Sequence, residues 1–299
     1  MPEQIKYGVE NEGHKLATVI VCAPKDEYFI TEAQDLKRHN FNHPPDRAKA
    51  VSQHQKLVAE MEKCGVEVII VSEVVDHPNS VFVQDMAIMT KNGYVKLRMG
   101  IESREGEENS MAAYLNDLNV DCVGEIRKPG KVEGGDVIMA GDVAFIGISS
   151  RTNEEGARQL AAILQKQGVE ARIAPVPKWS LHIGGAMSVI GPNTILCAEG
   201  AFTPVVERDL FKGFDVIKSS KSEGEGGFAS GNVITIGEYN GKTVLISNDK
   251  NKSLNAQLED LGYLVIALDM SEFIAGHGGL SCLIMPFLRI LAGEKNEDE

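Results

Sequence analysis

Residues 47–73 read RAKAVSQHQKLVAEMEKCGVEVIIVSE, and this stretch contains the unit from which the fold is built. Val51, Leu57 and Val58 follow helical spacing, and a β-branched run typical of a strand follows Gly65. Glycine adopts the left-handed conformation that ends many helices, because it has no Cβ to clash. The stretch therefore predicts a helix, a stop at Gly65 and a strand.

The same order of helix, stop and strand occurs five times along the chain. The stops are glycine or asparagine, the residues that best tolerate the left-handed conformation. They are Gly65, Asn119, Gly168, Gly213 and Gly262, with spacings of 54, 49, 45 and 49 residues. A period of about 50 residues indicates a repeat architecture rather than chance similarity among ordinary α/β segments.

A second segment follows each predicted strand and leads into an apolar run. These segments are SVFVQDMAIM (80–89), VEGGDVIM (132–139), LHIGGAMSVI (181–190), ASGNVITI (229–236) and GGLSCLIMPF (278–287). Their equivalent positions are Asp85, Asp136, Gly184, Asn232 and Cys282, which lie 16 to 20 residues after the stops. Units around one axis bring such segments together at the centre. Although the length allows one or two domains, the repeat predicts a single domain over residues 1–299. Its fold class is α/β, a closed five-bladed α/β propeller.

Three stretches lie outside the repeat. Residues 25–46 and 218–231 are predicted to be loops. The first is long and carries Tyr28 and Phe41, so it is either a lid over the central site or a surface excursion. The acidic tail, residues 293–299, is predicted to be disordered.

Composition and charge exclude several classes of protein. No apolar run approaches the ~18 residues that cross a bilayer, and the N-terminus lacks the residue order of a signal peptide. We therefore expect a cytoplasmic protein without a membrane partner. The net charge of −13 argues against a nucleic-acid partner, since phosphate binding needs clustered Lys and Arg, and favours a cationic small molecule.

The cysteines and the absence of binding motifs bear on cofactors. The five cysteines, at 22, 64, 122, 197 and 282, include no CxxC pair, which suits reduced thiols better than disulfides or a structural zinc site. No GxGxxG or GxxxxGK[ST] motif and no HExxH motif occurs. We therefore predict no organic cofactor and no metal.

Cysteine nucleophile chemistry has the best support among the candidate activities. It needs a thiolate, a His that moves protons and an acid that holds the His. Cys282, His182 and Glu133 occur at matching places in three repeat units. Alternatively, Glu133 and Asp136 only satisfy a glycine-rich turn. Asp85 enters an apolar strand, where a carboxylate costs free energy unless a cation pairs with it.

These segments resemble the dimethylarginine dimethylaminohydrolases, members of the pentein superfamily together with arginine deiminases and amidinotransferases. The resemblance runs from VIVCAP to CLIMP, and its most specific stretches are SVFVQDMAIM, EGGDV with FIGISSRTNEEGA, LHIGGAMSVIGPN and GGLSC. It implies Cys282 as nucleophile, His182 as general acid/base, Glu133 as partner of His182 and Asp85 as guanidinium anchor.

The resemblance also implies substrate contacts and shows departures. Arg104 and Arg151 look like contacts to the substrate carboxylate, although each also suits a surface ion pair. Four further positions are assigned to the substrate pocket, where this chain departs from the family's usual residues: Asn79, Gln84, Gly276 and His277. Gly184 stands where arginine deiminases commonly carry a second Asp, which disfavours unsubstituted arginine.

The implied reaction converts dimethylarginine or monomethylarginine to citrulline and an amine through a covalent thiouronium on Cys282. The partner is a small-molecule guanidine, no cofactor is needed, and a homodimer is compatible with the sequence. One alternative is an arginine deiminase or an amidinotransferase of the same superfamily. An alternative of another class is a non-catalytic pentein that serves as a binding scaffold.

Overall fold

The computed structural model describes residues 5–219 and 231–291, and within them the chain forms fifteen strands and seven α-helices. The strands are β1 (Lys15–Cys22), β2 (Glu67–Val71), β3 (Ala87–Thr90), β4 (Gly93–Lys96), β5 (Cys122–Glu125), β6 (Val137–Ala140), β7 (Val143–Ile148), β8 (Glu170–Pro175), β9 (Met187–Gly191), β10 (Thr194–Ala198), β11 (Asp215–Ser219), β12 (Ile234–Tyr239), β13 (Lys242–Asn248), β14 (Leu264–Leu268) and β15 (Ile284–Ile290). The helices are α1 (Ala33–Arg38), α2 (Arg47–Lys63), α3 (Glu107–Asp117), α4 (Glu154–Gln165), α5 (Pro204–Leu210), α6 (Lys252–Asp260) and α7 (Ser271–Ile274).

These strands form five three-stranded sheets of one design. Each central strand pairs antiparallel with one neighbour and parallel with the other. The sheets are β15-β1-β2, β3-β4-β5, β6-β7-β8, β9-β10-β11 and β12-β13-β14. In every unit a helix connects the central strand to its parallel partner. The predicted repeat is therefore present, and β15 completes the sheet that β1 begins.

The predicted stops have the conformation that the repeat requires. All five have positive φ: Gly65 (79°), Asn119 (58°), Gly168 (81°), Gly213 (90°) and Gly262 (96°). Each lies between the helix of its unit and the parallel strand that follows. The stop residue thus reverses the chain without a Cβ clash at the glycines.

Helix α2 shows how the sequence builds one unit. Asp46 caps it by accepting a hydrogen bond from the backbone N–H of Lys49 at 2.9 Å. Its buried face includes Ala50, Leu57 and Met61 and packs on β2, β14 and α7. Burial of side chains of this size contributes about 1.5–3 kcal/mol each, so packing rather than helix propensity holds the helix in place.

Neighbouring sheets touch through the strands that follow the equivalent segments. Strand β15 contacts β3, β6 contacts β9, β9 contacts β12, and β12 contacts β1. The 3-10 turns Val83–Asp85 and Gly134–Asp136 contact each other between the second and third sheets. These contacts bring the equivalent segments to one region of the molecule.

The stretches outside the repeat differ in part from the prediction. Residues 25–46 are not all loop, because Ala33–Arg38 form α1. Lys218 and Ser219 belong to β11, while residues 220–230 of the second predicted loop and the tail 293–299 lie outside the described residues. None of the helices within residues 5–219 and 231–291 combines the length and apolar character that a membrane crossing requires.

Candidate active site

One cavity of about 340 Å³ lies where the equivalent segments meet. Asp85, His182 and Cys282 line it, and they come from the first, third and fifth of those segments. Five other residues that the sequence assigned to the site or its arginine contacts also line it: Asn79, Arg104, Arg151, Gly276 and His277. Short 3-10 turns form four of the five segments, at Val83–Asp85, Gly134–Asp136, Ile183–Gly185 and Ser281–Leu283.

Glu133, His182 and Cys282 lie next to one another. Nε2 of His182 lies 2.9 Å from Oε2 of Glu133, and the thiol of Cys282 lies close enough to the imidazole to help raise its pKa. Glu133 is fully buried and His182 nearly so, whereas Cys282 is half-buried. The order of acid, imidazole and thiol is the order that activates a cysteine nucleophile.

Acidic groups around His182 favour its protonated form. Burial alone would lower its pKa, but the carboxylates of Asp85 and Asp136, with hydrogen bonding of the imidazolium to Cys282 and Glu133, raise the pKa well above its ordinary value. Burial would conversely raise the pKa of Glu133, but hydrogen bonding to His182 and the charge of Arg151 lower it below its usual range. The pair is therefore an imidazolium and a carboxylate near neutral pH.

Arg104 binds the predicted guanidinium anchor instead of standing free for a substrate. Its Nη1 donates to Oδ2 of Asp85 at 2.6 Å, and its Nε and Nη2 donate to Oε2 of Glu107 at 2.9 and 2.7 Å. Nη2 also donates to the backbone carbonyls of Asn79 and Phe82. A guanidinium held by two buried carboxylates has few donors left. The structure therefore shows Arg104 engaged with Asp85 and Glu107, and its contact to a substrate carboxylate stays a prediction.

Arg151 is more accessible than Arg104. Its Nη1 donates to both carboxylate oxygens of Glu133, at 3.2 and 3.1 Å. Arg151 and His277 both line the cavity. Burial lowers the pKa of His277, and the positive charge of Arg151 lowers it further. The contact of Arg151 to a substrate carboxylate stays a prediction.

Asn79 and Gln84 separate in the structure. Asn79 lines the cavity with Cys282, and its buried Oδ1 has no hydrogen-bond partner among the described residues. Gln84 does not line that cavity. It faces two adjoining cavities together with Glu12, because successive side chains of the turn Val83–Asp85 point in different directions. Gln84 therefore faces away from the cavity with Cys282, and its assignment to the substrate pocket stays a prediction.

Similarity to known proteins decides the family. Residues 26–289 match the family described as N,N dimethylarginine dimethylhydrolase, eukaryotic. The chain belongs to this family. It is 33% identical over 243 residues to the N(G),N(G)-dimethylarginine dimethylaminohydrolase of Pseudomonas aeruginosa, an alignment that covers 81% of this chain and 90% of the relative. The predicted membership and the predicted amidine hydrolase class are thereby confirmed.

Solved structures of dimethylarginine dimethylaminohydrolases share the fold. A Cys-to-Ser variant of the Pseudomonas aeruginosa enzyme, complexed with citrulline, has a TM-score of 0.74 and 28% identity, covering 91% of this chain and 100% of that one. An amidinotransferase from Microseira wollei has a TM-score of 0.78 at 16% identity, covering 97% and 99% of the two chains, and shows the fold alone. The mixed α/β fold of the family is thus confirmed for this chain.

The dimethylarginine dimethylaminohydrolase family resemblance did not point to Asp136, Glu107 or Asn232, which the structure places beside the predicted residues. From the repeat, Asp136 and Asn232 were identified only as positions equivalent to Asp85 and Cys282, and no catalytic or binding role was predicted for them. Glu107 lies one helical turn after Arg104, a spacing that suits an ion pair. These signals were present in the sequence, but the contacts depend on segments far apart in the chain.

Residues 25–46 cover the candidate site of this family member. Tyr28 is buried, stacks on Phe273 and donates from its hydroxyl to the carbonyl of Glu272. His39 and Asn40 line the cavity that contains Cys282. The segment therefore lies over the site, and its opening or closing as a lid stays a prediction.

Asp85, Glu133 and His182 are the described residues with ligand atoms close enough to share a metal ion, within 4.8 Å of one another. Arg104 is ion-paired to Asp85 and Arg151 to Glu133. A metal ion would compete with both guanidinium groups for the same oxygens. The reaction proposed below therefore has no metal-dependent step.

Proposed function

We propose that this protein hydrolyses a methylated arginine to citrulline and an amine through a covalent intermediate on Cys282. The observation that carries the proposal is the chain Glu133–His182–Cys282 at a cavity that also contains the buried carboxylate of Asp85. A guanidinium needs an anionic partner once desolvated, and Asp85 supplies one. The family's citrulline complex supports a ureido product.

Binding would place the guanidinium against Asp85 and Asn79. Oδ1 of Asp85 accepts from the backbone N–H of Gly135 at 3.0 Å, and its Oδ2 accepts from Arg104, so Arg104 holds the anchor in position. The unpaired Oδ1 of Asn79 offers a further acceptor. We assign the substrate carboxylate to Arg151, whose neighbour across the cavity is His277.

The first half of the reaction would form the intermediate. The Cys282 thiolate adds to the guanidinium carbon, and the C–N bond to the methylated nitrogen breaks with its electron pair on nitrogen. Protonated His182 gives its proton to the departing amine, a role that its raised pKa favours. The product on the enzyme is a thiouronium.

The second half would release citrulline. Neutral His182 removes one proton from a water that attacks the thiouronium carbon, and the C–S bond breaks to restore the thiolate and the imidazolium. The second proton of that water leaves the product oxygen for solvent, where the released amine takes it up and becomes an ammonium ion. Glu133 stays ionised throughout, because its pKa is held below the usual range. Atoms and charge balance without a cofactor.

We also infer that the five sheets are the blades of one closed propeller. The contacts between neighbouring sheets pass from the first sheet through the second, third, fourth and fifth back to the first, and β15 joins the two ends of the chain. The five cysteines form no disulfide, in keeping with the predicted cytoplasmic location. That location, the absence of a nucleic-acid partner and a homodimer stay predictions, and light scattering would test the last.

The test is a panel assay with asymmetric dimethylarginine, monomethylarginine, arginine and small guanidines, in which ureido product and released amine are measured. We expect amine release from a methylated arginine, lost in Cys282→Ser and kept in Cys64→Ser, since Cys64 is also half-buried but lies at the end of α2. Turnover of arginine alone would indicate a deiminase. Turnover only with glycine as acceptor would indicate an amidinotransferase, and no turnover would favour the binding scaffold.

A further inference from the structure

The equivalent segments are joined by one repeated contact. In three of the segments, a side-chain oxygen of the residue at the equivalent position accepts a hydrogen bond from a backbone N–H of the next segment. The donor is each time the residue just before the equivalent position of that next segment. The three contacts are Asp85 Oδ1 with Gly135 N (3.0 Å), Asp136 Oδ1 with Ile183 N (3.0 Å) and Asn232 Oδ1 with Ser281 N (3.1 Å). The repeat thus fixes the loops around the cavity by a single kind of hydrogen bond.

Asn232 differs from the two aspartates because its amide also donates. Gly184, the equivalent position in the preceding unit, has no side chain with which to make the contact. Instead Nδ2 of Asn232 donates back to the carbonyl of Gly184 at 3.1 Å and also to Oγ of Ser281. Asn232 therefore binds the loop after His182 and the residue before Cys282 at the same time.

The surroundings of Asn232 leave no room for adjustment. A Cβ at Gly279 would lie 2.8 Å from Oδ1 of Asn232, and a Cβ at Gly231 would lie 2.3 Å from the backbone of Ala186. Asn232 itself is buried. Glycine at both positions lets the segment with Asn232 fit between the loops of His182 and Cys282.

We propose that Asn232 is a positioning residue that sets the Cys282 thiol against the His182 imidazole. The amide of Asn232 both accepts from Ser281 N and donates to Gly184 O, which neither the carboxylates of Asp85 and Asp136 nor glycine could do at this place. The inference concerns the same site as the proposed function. It depends on the thiol–imidazole contact and not on the identity of the substrate.

The test compares Asn232→Ala with Asn255→Ala. Asn255, in α6 of the same chain region, is equally a buried asparagine whose Nδ2 donates to a backbone carbonyl, that of Asn248 at 3.0 Å. The rate of Cys282 labelling by iodoacetamide is followed by mass spectrometry of its peptide from pH 5 to 9, with the melting temperature of each variant. Labelling needs no guanidine substrate.

We expect Asn232→Ala to label about tenfold or more slowly at pH 7, since the Cys282 thiol loses its alignment with the imidazole of His182. The charged groups facing this pair are Asp85, Glu133, Asp136, Arg104 and Arg151, and all are unchanged in the variant. Asn255→Ala should label as the wild type even where its melting temperature falls equally. In turnover, kcat should fall with KM nearly constant.

Wild-type labelling by folded Asn232→Ala would overturn the inference. If that variant does not fold, Asn232→Asp decides, because it keeps the acceptor for the Ser281 N–H and removes the donor to the Gly184 carbonyl. It should label more slowly than Asn255→Ala, and an equal rate would also overturn the inference. A wild-type protein that labels rapidly but hydrolyses no guanidine would refute the proposed function and leave this inference standing.

Discussion

Asp85 and Arg104 form a buried ion pair at the floor of the candidate site, with Nη1 of Arg104 2.6 Å from Oδ2 of Asp85 and side-chain exposures of only 3% and 4%. Glu107 completes the arrangement on the other edge of the guanidinium. Asp85, Arg104 and Glu107 together carry a net negative charge when both carboxyl groups are ionised. Burial raises the pKa of Glu107 to about 7, against the opposing effect of Arg104.

Replacing Arg104 should therefore cost much stability. Arg104→Met leaves the buried carboxylate of Asp85 without its counterion and removes the charge that lowers the pKa of Glu107, and loss of one partner of a buried pair destabilises by about 3–5 kcal/mol. Urea unfolding at pH 7 measures the change. Arg127→Met is the control, because Arg127 is 80% exposed and pairs loosely with Glu125, so a change below about 0.5 kcal/mol is expected. Equal midpoints for the two variants would contradict the role of Arg104.

Glycine at 135 is required by the site itself. A Cβ there would lie 2.6 Å from Nδ1 of His182 and 2.9 Å from Oδ1 of Asp85. Gly135→Ala should displace both side chains and lower kcat by about 100-fold, since small misplacements of catalytic groups have effects of that size. Gly191→Ala, whose Cβ would make only ordinary contacts with Thr194, should keep full activity. Steady-state kinetics of both variants, with circular dichroism to verify folding, would show whether the crowding is real.

Asp136 makes stability depend on pH. Burial raises its pKa from 3.8 to about 6, although His182 and Ser149 oppose the shift. The folded state therefore binds the proton of Asp136 more tightly than the unfolded state does. The resulting stabilisation of the folded state is present at acid pH, near and below about pH 4, and is lost as the pH rises through 6. Relative to Asp136→Asn, the wild type should lose about 2 kcal/mol of unfolding free energy between pH 4 and 7. Urea titrations at both pH values measure the difference, and exposed Asp117→Asn should track the wild type.

Asn79 and Gln84 should respond differently to an added carboxylate. Asn79→Asp puts a charge at the cavity with Cys282 and should lower the KM for a methylated arginine by about tenfold, through attraction of the guanidinium. Gln84 lines the other cavities together with Glu12, so Gln84→Glu should change the KM by less than about twofold. The same substitution should destabilise the protein, because the new carboxylate and that of Glu12 repel each other. A lower KM in Gln84→Glu would return Gln84 to the substrate pocket.

Much of the site followed from the chain itself. Cys282, His182 and Glu133 were found because a repeat places equivalent residues at the centre and because thiol catalysis needs those residue types. The structure places the three residues next to one another, and their catalytic roles stay predictions. The partners of Arg104 and the direction of Gln84 could not be predicted, because sequence position does not reveal which way a side chain points from a short turn or which buried carboxylate competes for a guanidinium.

The sequence by itself determined the repeat, its period and the residues that end each helix, since helical spacing, β-branched runs and left-handed stops are local properties that recur in order. It also determined the chemical types at the centre. Only the tertiary structure decided that Arg104 is held by Asp85, that Gln84 faces away, and that Asn232 joins two loops. The physical reason is that ion pairs and hydrogen bonds depend on distance and burial between segments some 20 to 50 residues apart, which no local pattern records.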